Sequence, residues 1–156
     1  MADVAVMGAG VLGLCAAWVL AQRGASVAVI EADRPGAGAS GGLVGALAPH
    51  APEGWTPAKA LQLEALLGAE GFWAQVAAAG GVDPGYARVG RLQPLPDAAA
   101  VDRAQARAAA VRDLWGGRAD WQVIRAARAP GWQMPGDWVV RDTLTARIAP
   151  RRAEAA

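Results

Sequence analysis

Three glycines and one carboxylate carry the most specific chemistry in this chain. Gly8, Gly10 and Gly13 stand at G-x-G-x-x-G spacing, and Glu31 follows Gly13 by eighteen residues. The first glycine allows a tight turn, the second lets a pyrophosphate approach the backbone, and the third lets a helix pack closely on a strand. Ala9, Val11 and Leu12 lie between them, so their N–H groups join the same helix entry, where unpaired N–H groups and the helix dipole attract phosphate. A carboxylate at Glu31, with Ala32 beside it, suits acceptance of ribose hydroxyl hydrogen bonds and disfavours a 2′-phosphate. NADP is therefore not expected in this cleft.

These residues need a βαβ unit to position them, and the flanking sequence supplies one. Val4 to Met7 reads as a short apolar strand buried on both faces. A helix is expected from about Val11 to Gln22, stopped by Gly24, with Ala16, Ala17 and Ala21 keeping its sheet-facing side thin. A second strand runs from Ser26 to Ile30 and delivers Glu31 at its end. A glycine-rich turn in an ordinary α/β domain is the plainer alternative. It does not account for the strand, helix, second strand and acid all falling in order.

The fingerprint alone does not separate NAD from FAD; the following stretch does. Arg34 to Pro49 reads RPGAGASGGLVGALAP, where a plain NAD domain would continue into a helix. Here the chain resembles the D-amino-acid oxidase and glycine oxidase-like family of FAD-dependent oxidoreductases. The resemblance implies that Ala39, Ser40, Gly41 and Gly42 pass along the pyrophosphate of FAD, and that Leu43 to Pro49 run beside the isoalloxazine ring. Small residues and a hydroxyl suit a backbone lying against phosphate oxygens. A flexible linker is the alternative, but Leu43, Val44 and Leu47 make the segment too apolar for that role alone. His50, the only histidine, either tunes the ring or orients substrate, or is a surface-loop residue.

Beyond the loop, Thr56 reads as an N-cap with Pro57 in the first helical position of a helix to about Ala79. Leu63, Leu66, Leu67, Trp73 and Val76 keep its helical period. Gly68 and Gly71 weaken that helix or admit close packing from a neighbouring element. Arg88 to Leu95 alternates like a strand, and Pro94 places it at an edge. Asp97 is a cap for a second helix, Ala98 to Leu114, with Asp102, Arg103, Arg107, Arg112 and Asp113 on a solvated face. Trp121 to Ile124 and Trp138 to Val140 read as further strands. Trp115, Trp121, Trp132 and Trp138 form either the core of a small sheet or the wall of an apolar pocket. Asp142 and Thr143 read as a turn or cap.

The expected fold class is α/β: a Rossmann-like FAD-binding βαβ start with part of an α+β substrate domain. Residues 1–50 would begin the FAD-binding domain, 51–87 form its helical segment, 88–141 a partial substrate domain, and 142–156 the start of the return. Within the resemblance, the adenine-holding strand, the rest of the substrate sheet and a glycine-rich closing segment lie beyond this length, so a truncated family member is expected. Such a chain has an unpaired sheet edge and an open cofactor site, which a second chain or self-association would complete.

A net charge of +1 suggests neither nucleic acid nor an anionic membrane as partner. Cys15 stands alone, so no intramolecular disulfide forms and a cytoplasmic location fits. A packed small side chain is a plainer role for it than a redox thiol. Val4 to Ala21 carries no charge, but Asp3 precedes it and glycines interrupt it, against a membrane span or export signal. No nucleophile triad, metal-ligand set or carboxylate pair stands out. The resemblance implies oxidation of a small amine or amino-acid substrate by hydride transfer to flavin, its carboxylate-binding arginine falling outside these residues, so no catalytic residue is assigned. The competing reading is a non-catalytic dinucleotide-binding or interaction module; an NAD-dependent dehydrogenase is disfavoured by residues 39–49.

Overall fold

A computed structural model of the chain describes residues 1–128 and 135–156. Trp132 therefore lies outside the described residues. The chain forms two compact units: residues 1–45, 73–86 and 148–156 make the first, and residues 46–72 and 87–147 the second.

In the first unit, β1 (Val4–Met7) and β2 (Val27–Ile30) pair in parallel, from Val4 opposite Val27 to Met7 opposite Ile30. Helix α1 (Val11–Gln22) makes the crossover, ending as expected ahead of Gly24. Two expectations about its packing are corrected. Strand β1 is not buried on both faces: Val4 and Val6 are half-buried, whereas Met7 is 75% exposed. Of the three alanines, only Ala17 is half-buried; Ala16, one residue round the helix from it, and Ala21, in the last turn, are exposed. A short 3₁₀ turn spans Ala39–Gly41. The last helix of the chain, Pro150–Ala155, belongs to this unit, with proline in its first turn.

In the second unit, β4 (Arg91–Leu95), β5 (Trp121–Arg125) and β6 (Trp138–Asp142) form an antiparallel sheet in the order β4-β6-β5. Pro94 does lie on an edge strand. The ladder of β4 begins three residues later than expected: Gly90 turns into the left-handed region at φ +73° and its N–H donates to Thr145 O at 2.7 Å, while Ala87 makes an isolated bridge to Arg147. Helix α3 (Ala98–Trp115) packs on this sheet; Asp97 caps it by accepting from Ala100 N at 2.7 Å, and Gly116 ends it in the left-handed region. Leu95, Ala100, Ala104 and Val140 form one core cluster. Leu63 and Leu66 form another with Val111, Trp115 and Leu144.

Helix α2 (Pro57–Gly80) carries Leu63 and Leu66, and Thr56 Oγ1 accepts from Lys59 N at 3.3 Å as its cap. Gly68 and Gly71 admit no close neighbour among the described residues; a Cβ at either would meet open space. Two three-residue strands, β3 (Gly45–Leu47) and β7 (Ala146–Ile148), pair with each other and were not foreseen. Trp115 is 1% exposed and meets Trp121 edge-on at 6.3 Å, which makes both part of the core. Trp138 instead carries Arg125 over its ring at 4.1 Å.

Candidate dinucleotide site

The turn from β1 into α1 has the geometry the glycine spacing requires. Gly8 sits at φ +99°, open to glycine and closed to most side chains, and its N–H donates to Ile30 O at 2.7 Å. A Cβ at Gly13 would collide with Gly8 O and lie 3.4 Å from Val6 Cγ1. The third glycine therefore permits closure of the turn on itself as well as packing on the strand. Gly10 precedes α1 in an extended conformation and offers no side-chain cap.

Two distant side chains supply what Gly10 cannot. Ser40 Oγ accepts from Val11 N at 3.0 Å, and Glu31 Oε2 accepts from Ala9 N at 2.7 Å. A Cβ at Gly10 would stand 3.1 Å from Ser40 Oγ, so the open face of Gly10 looks onto this hydroxyl. The first intrahelical bond runs from Leu14 N to Gly10 O at 2.9 Å, so Leu12 and Gly13 N–H precede it in the helix's first turn. Glu31 Oε1 also accepts from Ala32 N at 2.8 Å and Asp33 N at 3.1 Å. These bonds, that from Ala9 foremost and then that from Asp33, hold the Glu31 carboxyl below the usual range. It is an anion at neutral pH, and Oε2 keeps a lone pair for a hydroxyl donor.

The small-residue loop is tied to the same turn, since Gly36 N donates to Ala9 O at 3.1 Å. The structure thus brings Gly8, Ala9, Gly10, Val11, Glu31, Ala32 and Ser40 together through direct bonds or contacts. Ala39 and Gly41 complete the 3₁₀ turn around Ser40, with Gly42 immediately after it in extended backbone. Leu12 is drawn in only through its backbone, its side chain being 85% exposed. His50 is exposed, and its backbone N–H donates to Gln62 Oε1 at 3.1 Å. Burial pushes the Cys15 thiol up, against a reactive thiolate.

Donors at a helix entry, a Gly10 face where an added Cβ would crowd Ser40 Oγ, and an ionised carboxylate at the end of β2 fit the pyrophosphate and ribose of a dinucleotide. The sequence model of the DAO family, FAD dependent oxidoreductase, matches residues 3–155. The chain belongs to that family. FAD is the cofactor of this family.

Among solved structures, glycine oxidase from Geobacillus kaustophilus is similar at a TM-score of 0.83 with 22% identity, over 99% of this chain and 42% of its own. Iminodiacetate oxidase from a Chelativorans species gives 0.74 with 27% identity, over 98% and 42%. L-Amino acid deaminase from Proteus myxofaciens gives 0.78 with 23% identity, over 99% and 34%. Among curated proteins, the tRNA 5-methylaminomethyl-2-thiouridine biosynthesis bifunctional protein MnmC of a Psychrobacter species is 57% identical over 47 residues, 30% of this chain and 6% of that one. The chain thus spans well under half the length of these relatives.

Sequence reading did not find three further residues at this site. Arg151 Nε donates to Gly41 O at 3.1 Å, and the Glu154 carboxylate lies against Gly36. With Arg34 they line a cavity of about 700 Å³ beneath the loop. No local pattern marks them, because their partners stand more than a hundred residues away in sequence.

Proposed function

We propose that this chain supplies the dinucleotide-binding part of an FAD-dependent oxidoreductase that oxidises a small amine or amino acid. The observation that carries the reading is the joined site: the Gly8–Gly13 turn, Glu31 and Ser40 bonded together in a chain that belongs to an FAD-dependent family. Gly8, Ala9, Gly10, Val11, Leu12 and Gly13 would hold the pyrophosphate, Glu31 and Ala32 the ribose, and Ala39 to Gly42 the stretch leading toward the flavin. When bound, FAD supplies a hydride acceptor; the protein's part is to orient it.

The substrate class rests on what the relatives' names share. Glycine, iminodiacetate and a methylaminomethyl group each carry a C–H bond next to an amine nitrogen. The residues 88–141 would begin the domain that presents such a substrate. Short coverage of the relatives favours one alternative, a dinucleotide-binding module that does not turn over by itself.

The test is the absorption spectrum of the purified chain with added FAD, followed by anaerobic glycine, sarcosine, iminodiacetate or a D-amino acid. A bound flavin that bleaches supports the oxidoreductase; a bound flavin that never bleaches supports the module. A colourless protein that ignores FAD refutes both.

A further inference from the structure

The last helix, Pro150–Ala155, grips the cofactor loop at both ends. At one end Arg151 Nε donates to Gly41 O at 3.1 Å. At the other, the Glu154 carboxylate lies so close to Gly36 that a Cβ there would overlap it. Between these points the loop closes on itself. Gly41 N donates to Gly38 O at 3.1 Å, and a Cβ on Gly41 would collide with Gly36 O. Ser40, the residue that meets Val11 N, stands inside this closed loop.

Among the described residues, Glu154 Oε1 is buried without a hydrogen-bond partner, so the helix meets the loop here by packing alone. Arg34 and Arg151 line the same cavity. The helix is itself anchored on its other side, where Arg152 pairs with Asp83.

We propose that Arg151 and Glu154 are positioning residues for the cofactor: they fix the loop so that Ser40 Oγ stands at the entry of α1. This rests on the FAD reading, and the residues act through Ser40 rather than by touching FAD. One hydrogen bond of this kind corresponds to about a 3- to 10-fold change in an equilibrium.

The test follows two quantities in the same chain: amide exchange at Val11 without FAD, and FAD affinity from flavin fluorescence. Arg151→Ala should speed Val11 exchange and weaken FAD about 3- to 10-fold. Arg151→Lys, which keeps a donor, should recover part of both. In a Ser40→Ala background, Arg151→Ala should change FAD affinity less than about 2-fold, because the route is already cut. Glu154→Ala should act in the same direction, and stands in should Arg151→Ala fail to fold. Equal losses in both backgrounds, or unchanged Val11 exchange, overturn the proposal. If the wild-type chain binds no FAD, the functional reading falls, while Val11 exchange still decides whether Arg151 and Glu154 position Ser40.

Discussion

Replacing glycine by alanine should have opposite signs at two positions that look alike in sequence. Gly13 lies in α1 and Gly68 in α2, both helical. By propensity alone, each substitution should stabilise by about 1 kcal/mol. At Gly68 nothing lies within 4 Å of the added methyl, so the full gain of about 1 kcal/mol is expected. At Gly13 the methyl collides with Gly8 O and stands 3.1 Å from the Gly8 carbonyl carbon, backbone atoms that no rotamer change can move. Overpacking costs about 1–3 kcal/mol, and the rigidity of the obstacle favours the upper half. The net effect at Gly13 is a loss of about 1–2 kcal/mol after the propensity gain. Urea unfolding without FAD measures both as midpoint shifts at constant slope. Gly13→Ala should move the midpoint down and Gly68→Ala up. A Gly13→Ala chain as stable as wild type would refute the claim that this glycine closes the turn.

Further outcomes follow from single contacts. Glu31 has a folded-state pKa below its unfolded value, so its stabilising contribution is full above about pH 4.3 and is lost as pH falls through the folded value. Glu31→Gln should therefore flatten the acid limb of a stability–pH curve while leaving the chain folded at pH 7. Leu144→Ala, at a position 0% exposed beside Leu63, Leu66, Val111 and Trp115, should cost about 2–5 kcal/mol in denaturant unfolding. Asp142→Ala should cost about 3–5 kcal/mol, because it strands Arg91 and the N–H groups of Leu144 and Thr145. Asp97→Ala should cost about 1 kcal/mol and loosen the first turn of α3, read by amide exchange at Ala100.

The parts legible in sequence are those whose cause is local. Helix α1 is bounded by Gly10 and Gly24, so its span follows from its own residues. The caps at Thr56 and Asp97 and the edge position of β4 follow from one side chain each. What escaped depends on distant partners. Strands β3 and β7 are three residues long, too short for an alternating pattern, and each exists by pairing with the other. Asp142 reads as a turn residue, yet it is 1% exposed and collects bonds from Arg91, Leu144 and Thr145. At the site, glycine spacing and the acid were visible. That Ser40 would be the side chain at Val11 N, 29 residues away, required the fold.

The claim at the centre of this account is that the Gly8–Gly13 turn, Glu31 and Ser40 form an FAD site in this chain. Its most direct measurement is flavin retained per chain after gel filtration with excess FAD, for wild type and Gly10→Val. A Cβ at position 10 already stands 3.1 Å from Ser40 Oγ, so a branched side chain there must displace Ser40 and block the helix entry. The account predicts retained flavin approaching one per wild-type chain and little in Gly10→Val. No flavin in either, or equal amounts in both, contradicts it.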